Sequence, residues 1–469
     1  MAEMPERPFY ADGRTVVRAG HEHQASAARD ENTETRRDMV VLVTMEEVLR
    51  AENVERAMRR VKRNKGAPGV DGMTVDALGE FLKSGDWPQI EKALLEGRYK
   101  PQAVLGVEIP KANGGKRQLG IPTVIDRLIQ QAILQAVQPH IDPTFSEYSY
   151  GFRPKRRAQD AVLQMKSYVV AGHEWIVDCD LAKFFDEVQH DVLMARVARR
   201  IQDKRILRTI RRYLQAGLML GGLVSQRVKG TPQGGPLSPL LSNILLDDLD
   251  RELEHRGHHF ARYADDFIVC VKSRKAGERV LGSLEGFLAK KLRLKVNQDK
   301  SKVARADECT FLGYSIIFLK DGSKRLTLPR GTLQRFRGKM QKVIGRCARG
   351  QSIAHLIEKL KPIMRGWYNY YSLAETASSF DSLDGYVRRR IRWLYWRHWK
   401  TPRTRRKRLI ALGLRPDQAR KTAYSGCGPW RCSRIPGVHQ ALPNSHFNKL
   451  GLFSLLQAHQ RRRTMPATV

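Results

Sequence analysis

Two adjacent aspartates between two apolar runs are the feature that most restricts how this chain folds. They lie in Phe260–Val271, whose sequence is Phe-Ala-Arg-Tyr-Ala-Asp-Asp-Phe-Ile-Val-Cys-Val. Aromatic and β-branched residues favour strands, so the two runs predict a tight β-hairpin with Asp265 and Asp266 at its tip. Like charges this close repel unless cations neutralise them, and the hairpin therefore predicts a cation site.

A second acidic segment, Trp175–Asp186, predicts a strand followed by a helix. The alternation of the strand places Asp178 and Asp180 on one face, with Asp180 where the strand ends. For a lone aspartate, a turn or a helix N-cap is the alternative explanation. Together with the hairpin, Asp180, Asp265 and Asp266 predict oxygen ligands for two Mg²⁺ ions about 3.5–4 Å apart.

The charge of the chain points to a polyanionic partner. Lys and Arg number 84 against 48 Asp and Glu, a net charge of +36, and residues 322–469 carry 32 basic and 5 acidic side chains. Nucleic acid is the favoured partner, with a membrane surface as the weaker alternative. A membrane-spanning helix is not expected, because no apolar run approaches about 18–20 residues.

The six cysteines are too scattered for a disulfide framework, and the N-terminus lacks a signal-peptide pattern. We therefore expect a reduced, cytosolic protein.

Strand-like and helical runs alternate up to about residue 320, and helical periodicity dominates afterwards. The predicted helices are 125–138, 157–170, 190–215, 236–254, 276–291, 332–348, 352–365 and 379–399. The predicted strands are 105–109, 175–180, 258–263, 267–272 and 311–318.

The hairpin carries a family resemblance. Tyr263-Ala-Asp-Asp266 resembles the YxDD hairpin of reverse transcriptases, and Asp180 matches the aspartate of their other metal-binding strand. The resemblance implies that Asp180, Asp265 and Asp266 are catalytic. One Mg²⁺ is expected to activate a primer hydroxyl and the other to steady the leaving pyrophosphate.

The same resemblance assigns roles to neighbouring residues. It implies that Leu181 lends a backbone carbonyl to the metal, and that Phe185 is the steric gate that excludes a ribose 2′-hydroxyl. Core packing is the alternative role for Phe185. Leu294–Lys302 and Phe311–Tyr314 resemble the last palm segments, where Lys300 is either a site residue or a surface charge.

Other segments follow in the order of the family. Ile109–Pro122 resembles the fingers segment. Lys111 and Arg117 flank a Gly-Gly turn there, and they are expected to bind a triphosphate. A solvated basic hairpin is the alternative. Gly230–Pro239 resembles the palm loop beside the incoming nucleotide, with Gln233 lining the pocket.

Tyr150–Pro154 is similar to a further fingers motif of the family. The resemblance implies that Arg153 contacts template or nucleotide.

Two segments resemble the group II intron branch of the family, the reverse transcriptase-maturases. Lys65–Thr74 looks like their N-terminal extension, and Leu360–Tyr371 looks like their maturase, or thumb, segment. The resemblance covers about residues 46–460. It implies an α+β right-hand polymerase, with fingers and a palm built on a small antiparallel sheet, then a helical thumb and a short basic C-terminal region.

The basic C-terminal third supplies candidates for binding nucleic acid. Trp393, Trp396 and Trp399 recur at helical spacing, so they predict mostly core, with stacking on nucleic acid as the alternative. Phosphate contacts are expected from the arginines around them: Arg388, Arg389, Arg390, Arg392 and Arg397. The charge run 401–408, with Arg405, Arg406 and Arg408, is expected to contact nucleic acid rather than to be a solvated linker.

Five regions are predicted along the chain. They are a flexible lead (1–44), an N-terminal extension (45–98), fingers and palm (99–321), a thumb (322–400) and a basic nucleic-acid-binding region (401–469). A terminal His-Asn-His endonuclease is not expected, because only Cys427 and Cys432 lie near each other and a structural zinc site needs four ligands.

The resemblance implies an RNA-directed DNA polymerase that binds its intron RNA and assists splicing and mobility. Its expected partners are an RNA template, a DNA primer or target, and deoxynucleoside triphosphates. One alternative is a host-adopted reverse transcriptase in DNA repair or phage defence. Another is an RNA-binding maturase with an idle polymerase centre, against which the three intact aspartates argue.

Overall fold

The computed structural model describes residues 40–110, 116–220, 222–226, 228–231, 234–347 and 350–464. It divides into two units, one reaching residue 304 and the other starting at residue 305. Lys111 and Gln233 lie outside the described residues, and Arg117 is described for its backbone alone. The five-region division stays a prediction.

The first unit combines helices with two four-stranded sheets. Its helices are α1 (Met45–Leu49), α2 (Ala51–Arg63), α3 (Leu78–Phe81), α4 (Asp86–Leu95), α5 (Val124–Ile141), α6 (Ala158–Val170), α7 (Phe184–Glu187), α8 (His190–Arg200), α9 (Lys204–Gln215), α10 (Ser238–His255) and α11 (Arg274–Phe287), which runs into a π-helical turn (Leu288–Leu292). Its strands are β1 (Val104–Pro110), β2 (Lys116–Ile121), β3 (Trp175–Cys179), β4 (Leu218–Leu220), β5 (Leu223–Ser225), β6 (His259–Tyr263), β7 (Asp266–Val271) and β8 (Lys302–Arg305).

The sheet that carries the acidic segments has the strand order β6-β7-β3-β8. Strand β7 pairs antiparallel with both neighbours. Its Asp266 lies opposite Tyr263 of β6, and its Phe267 lies opposite Cys179 of β3. A hydrophobic core that includes Val177, Val269 and Leu246 packs beneath it. The other sheet has the order β2-β1-β4-β5.

The second unit is mostly helical. A two-stranded sheet of β9 (Ser315–Phe318) and β10 (Lys324–Thr327) precedes α12 (Arg330–Arg346), α13 (Ile353–Tyr371) and α14 (Ala377–His398). Shorter helices follow: α15 (Pro402–Ala411), α16 (Pro416–Ala423), α17 (Pro429–Cys432), α18 (Pro436–Ala441), α19 (Asn444–Lys449) and α20 (Leu455–Thr464). Trp396 and Trp399 are buried while Trp393 is half-buried, which agrees with a mainly structural stripe.

Two predicted elements differ in the structure, and one basic run lies on a helix. The predicted helix 190–215 is two helices, because Ile201 is extended and Asp203 starts α9 as an N-cap that accepts from Arg205 N and Ile206 N. The predicted strand 311–318 narrows to β9, since Leu312 and Gly313 take left-handed conformations. The charge run 401–408 lies at a helix start, with Thr401 as N-cap and Pro402 in the first turn.

None of the helices in the described ranges has the length and apolar character that a membrane crossing requires.

Candidate active site

The β6–β7 hairpin turns through two residues, Ala264 and Asp265. Ala264 has φ +62°, a left-handed conformation that a tight hairpin loop demands and that glycine usually supplies. Gly151 lies against this turn so closely that a Cβ there would collide with the Ala264 nitrogen. The Tyr150–Pro154 motif is therefore packed directly on the acidic turn.

A buried arginine, Arg262, forms hydrogen bonds that fix the turn of the β6–β7 hairpin. Arg262 and its partner Asp250, on α10, are both fully buried, and the guanidinium donates to both carboxylate oxygens of Asp250. It also donates to Asn243 Oδ1 at 3.0 Å, to the Ala264 carbonyl at 2.9 Å and to Ser149 Oγ at 2.8 Å. All five N–H donors of Arg262 are thus used, and a fully satisfied network of this kind restricts local geometry.

Asn243 extends the network to the neighbouring motif, because its amide donates to the Gly151 carbonyl at 2.9 Å. The sequence motifs do not single out Arg262, Asp250 or Asn243 as site residues. The available signal was a charged residue, Arg262, inside a strand predicted to be buried. A buried arginine needs a buried acid.

Asp180 follows the last residue of β3, and the 294–302 segment contacts it. Asp180 Oδ2 accepts from Asn297 Nδ2 at 3.0 Å and lies 3.4 Å from Lys300 Nζ. The Asp180 backbone nitrogen donates to Ser301 Oγ at 3.0 Å, and its carbonyl accepts from Asn297 N at 2.8 Å. The sequence left two roles open for Lys300, a site residue or a surface charge. The structure places its amino group beside Asp180.

The carboxylates form one electrostatic site. Desolvation by the surrounding protein, followed by repulsion from Asp265, Asp180 and Asp178, raises the pKa of Asp266 to about 6. The pKa of Asp178 also rises to about 6, mainly because it is partly buried and despite the opposing charge of Lys302. The acids on β3 and at the hairpin therefore repel one another.

The donor chemistry of this site fits a hard divalent cation, since carboxylate oxygens are the preferred ligands and their repulsion calls for positive charge. In the part of the chain that the structure describes, no group of three His, Cys, Asp or Glu side chains is gathered closely enough to hold a metal. One oxygen of Asp180 is meanwhile engaged by Asn297. A metal centre therefore remains a proposal.

Phe185 lies beside the loop that precedes Gln233. Its carbonyl accepts from Thr231 N at 2.7 Å, and Gly230 (φ +91°) approaches the same segment so closely that a Cβ would lie 3.0 Å from the Phe185 oxygen. The half-buried ring of Phe185 packs on Phe184 at 5.1 Å between centroids and on the core. This position is compatible with both of its predicted roles.

Strands β1 and β2, on either side of residues 111–115, pair antiparallel, with Ile109 opposite Arg117. A Cβ on Gly234 would collide with the Gly120 carbonyl of β2, so the end of the 230–239 loop lies against this hairpin. The predicted triphosphate contacts of Lys111 and Arg117 stay predictions.

Arg153 does not fit its predicted contact with template or nucleotide. The side chain is 3% exposed, and it donates to Asp142 Oδ1 at 3.1 Å and to the carbonyls of Ser149 and Asp142 at 2.8 Å. Its donors are thus used inside the protein, where they link the chain around Asp142 to the Tyr150–Pro154 motif.

Arg392, on α14, is also buried rather than available to a phosphate. It is 3% exposed, donates to the Leu442 carbonyl at 2.9 Å and lies 5.0 Å from the ring centre of Phe447. Burial lowers its pKa to about 10. The Arg392 guanidinium is therefore engaged inside the protein, and its predicted nucleic-acid contact does not fit this position.

The other arginines of the second unit vary in accessibility. Arg388 is largely covered and lies 3.7 Å from Asp381, and Arg389 stacks 3.7 Å over the ring of Trp430. Arg405 donates to the Trp399 carbonyl at 2.9 Å and lies over Trp396. Arg406 and Arg408 are exposed on α15 and remain candidates for phosphate contact.

Similarity to known proteins identifies the family of this chain. Residues 109–316 match the family described as "Reverse transcriptase (RNA-dependent DNA polymerase)", and residues 333–412 match "Group II intron, maturase-specific domain". Protein YkfC of Escherichia coli K12 is 35% identical over 302 residues, covering 56% of this chain and 79% of YkfC. The chain belongs to the group II intron reverse transcriptase-maturase family.

Intron-encoded proteins are among its relatives. Group II intron-encoded protein LtrA of Lactococcus lactis is 28% identical over 335 residues, covering 57% of this chain and 55% of LtrA. The putative COX1/OXI3 intron 2 protein of Saccharomyces cerevisiae is 26% identical over 422 residues, covering 71% of this chain and 48% of that protein. The chain thus spans about half the length of these two relatives.

The predicted family and fold class are confirmed by these matches and by the small antiparallel sheets and helical C-terminal region. The reverse transcriptase match spans both acidic segments, and the maturase-specific match includes α13 and α14. Members of the reverse transcriptase family generally use divalent metals. Both matches end before α16, so the last helices lie outside them.

Proposed function

We propose that this chain is an RNA-directed DNA polymerase that extends a DNA primer on an RNA template with deoxynucleoside triphosphates. The observation that supports this most directly is the acidic hairpin turn of Asp265 and Asp266. The hairpin pairs with β3, the strand that Asp180 directly follows, and Arg262 donates to the Ala264 carbonyl in the turn. In a member of the reverse transcriptase family, we propose this arrangement as the site of polymerisation.

Asp180, Asp265 and Asp266 are the side chains that would hold divalent cations, with Mg²⁺ as the proposed ion and Leu181 as the source of a backbone carbonyl. When bound, two such cations activate the primer 3′-hydroxyl and stabilise the leaving pyrophosphate. Asp266, with its pKa raised to about 6, binds a cation in its deprotonated form, and Lys300 Nζ lies 3.4 Å from Asp180 Oδ2. Asn297 fixes the rotamer of Asp180 through its amide.

Nucleotide selection is assigned to residues around this centre. Lys111 and Arg117, at the β1–β2 hairpin, are proposed to bind the triphosphate, and Gln233 to line the nucleotide pocket. Phe185, held against the 228–231 loop, is proposed to exclude a ribose 2′-hydroxyl.

The chain is further proposed to bind an intron RNA and to assist its splicing and mobility. The maturase-specific match over residues 333–412 and the name of the relative LtrA support this role. So does the basic second unit, where Arg406 and Arg408 are exposed. Its action in the cytosol stays a prediction.

Primer extension tests the polymerase. The assay uses an RNA template, an annealed DNA primer, deoxynucleotides and Mg²⁺, and compares the wild type with Asp265→Asn. The matched control is Asp417→Asn, an exposed aspartate on α16 far along the chain from the acidic segments. We expect extension by the wild type and the control, and background synthesis with retained RNA binding for Asp265→Asn. Failure of all three proteins to extend the primer, with RNA binding intact, would reject the polymerase and favour a maturase with an idle centre.

A further inference from the structure

A pocket of about 360 Å³ opens in the second unit between α13 and α20. This volume lies within the range of about 300–1,000 Å³ typical of small-ligand sites. Seven residues line it: Arg365, Tyr368 and Asn369 of α13, Phe453 of the loop before α20, and Ala458, Arg461 and Arg462 of α20. Neither family match reaches α20, so no role has been assigned to this wall.

The spacing of the lining residues explains why both helices contribute a wall. On each helix the three positions follow the i, i+3, i+4 pattern and so share one face. Ala458, the first of the three α20 positions, has a small side chain that takes up little of the pocket. Phe453 and Tyr368 lie with ring centroids 6.1 Å apart and supply an aromatic floor.

The floor and the rim differ in chemistry. Phe453 is half-buried, so part of its ring faces the opening. Tyr368 is buried, and within the described structure its hydroxyl has no hydrogen-bond partner. Tyr368 therefore forms the buried side of the floor, and Phe453 forms the side that the opening reaches.

Three guanidinium groups surround this floor. Arg365, Arg461 and Arg462 are exposed, and the Arg365 guanidinium lies 5.8 Å from the ring centre of Phe453. Among the described residues that line the pocket, none carries a carboxylate. Arginine is suited to phosphate because its planar fork binds two oxygens at once, and aromatic rings stack on any nucleobase. The pocket therefore matches a ligand with both a phosphate and a planar base.

A buried cap holds α20 in place. Asp384, on α14, is buried and accepts from the backbone nitrogens of Leu455 at 3.0 Å and Leu456 at 3.2 Å, and from Ser454 Oγ at 2.6 Å. These are the first free N–H groups of α20, so Asp384 acts as its N-cap from another helix. The arginines of α20 are thus carried by an anchored helix.

We propose that this pocket binds one unpaired nucleotide of an RNA strand. Its base stacks on Phe453, and the phosphates on either side pair with Arg365, Arg461 and Arg462. The opening leaves part of Phe453 and the three arginines accessible, which a strand needs if its backbone is to continue past the site. The inference deepens the RNA-binding part of the proposed function and is independent of polymerase chemistry.

Binding of a single-stranded RNA oligonucleotide of about 20 nucleotides, measured by fluorescence anisotropy over a salt series, tests the proposal. The Arg461→Gln/Arg462→Gln double variant is expected to bind roughly ten-fold more weakly, with a salt slope reduced by about 1.4, since each phosphate contact on a single strand contributes about 0.7. Phe453→Leu is expected to bind several-fold more weakly with an unchanged slope, because it removes stacking but no charge.

Arg463→Gln is the matched control, since Arg463 is exposed on the same helix but does not line the pocket. It is expected to change affinity less than two-fold. A loss of affinity for Arg463→Gln of half or more of the double variant's loss in binding free energy would overturn the proposal in favour of a diffuse basic surface. Unchanged affinity of Phe453→Leu, with its melting temperature preserved, would also overturn it.

Photocrosslinking separates the sources of the ligand. RNA that contains 4-thiouridine is expected to crosslink to the peptide that carries Phe453 or Tyr368, and excess mononucleotide should not compete. Competition by millimolar mononucleotide would overturn the RNA strand as the ligand and assign the pocket to a free nucleotide. Because the assay scores binding alone, an inactive polymerase centre does not affect its outcome.

Discussion

Ala264 takes a backbone conformation that is rare for a residue with a side chain, and its carbonyl is held by Arg262. Strain at a catalytic turn persists only where surrounding contacts overdetermine it. Gly151 on one side and the Arg262 guanidinium on the other supply those contacts. At the scale of single residues, the position of Asp265 thus depends on groups that do no chemistry themselves.

Arg262→Lys should lower the free energy of unfolding by about 3 kcal/mol, because lysine cannot make the two-oxygen contact with the buried Asp250 and reach Ala264 as well. It should also reduce kcat in primer extension more than it changes the KM for nucleotide. Urea denaturation and steady-state kinetics measure these effects. The control is Arg256→Lys, a surface pair with Glu252, expected to cost less than about 1 kcal/mol. Equal stability of the two variants would contradict the bracing role.

Asp266 makes the metal-free protein sensitive to pH. Its pKa is raised from 3.8 to about 6, so the folded state holds the proton more tightly than the unfolded state does. The resulting stabilisation is complete below the unfolded pKa and is lost as pH rises through about 6. Mg²⁺ competes with that proton, and we expect its stabilising effect to grow between pH 5 and 7.

Melting temperatures in EDTA and in Mg²⁺, taken across this pH range, measure the effect. Asp266→Asn has no titrating group at this position, so both its loss of stability with pH and its gain from Mg²⁺ should be smaller. A Mg²⁺ effect of equal size in the variant and the wild type would remove Asp266 from the cation site.

At the scale of secondary structure, short polar side chains decide where helices begin. The helical pattern of residues 190–215 is continuous, yet Asp203 accepts from Arg205 N, Ile206 N and Met45 N, and thereby starts a new helix. The contact with Met45, at 2.9 Å, ties α1 to α9. A break of this kind depends partly on a residue 158 positions away, which a local pattern does not contain.

Asp203→Ala should destabilise the first unit by about 1–2 kcal/mol, through loss of the N-cap and of the contact with Met45. Asp203→Asn keeps a side-chain oxygen that caps well, so it should cost clearly less. Chemical denaturation of the two variants makes the comparison. Equal losses would mean that the ion pair with Arg205, rather than the cap, carries the stabilisation.

At the scale of the whole molecule, the net charge of +36 is less informative than the location of each cation. Arg153, Arg262 and Arg392 are buried, and their donors bind carbonyls and carboxylates of the protein. Arg406 and Arg408 are exposed on α15. Only cations that remain solvated in the free protein are available to displace counterions from nucleic acid.

Arg406→Gln/Arg408→Gln should weaken binding to single-stranded RNA and reduce the salt slope by up to about 1.4. Arg153→Gln should leave the slope unchanged and lower stability instead, because it leaves Asp142 without its 3.1 Å partner. Affinity across a salt series and thermal denaturation distinguish the two effects. A reduced slope for Arg153→Gln would contradict its structural assignment.

The catalytic candidates were accessible to sequence reasoning because their signals are local. Asp265 and Asp266 stand between two apolar runs, and the register of β6 with β7 follows from the short turn that joins them. Asp180 ends an apolar strand in the same way. Such patterns depend on neighbours in the chain, and they predicted the hairpin, the strand and the family together.

Tertiary structure alone decided which charged residues face solvent and which hold the fold together. The sequence assigned Arg153 and Arg392 to nucleic acid, although both are buried, and it left Arg262 unnoticed. A guanidinium is used internally when distant parts of the chain bring carbonyls and carboxylates to it, as Asp250 and Ser149 do for Arg262. The pocket between α13 and α20 has the same origin, because it joins Arg365 to Arg461 and Arg462. Local patterns set the chemistry of the acidic centre, whereas long-range packing set the environment of every charge around it.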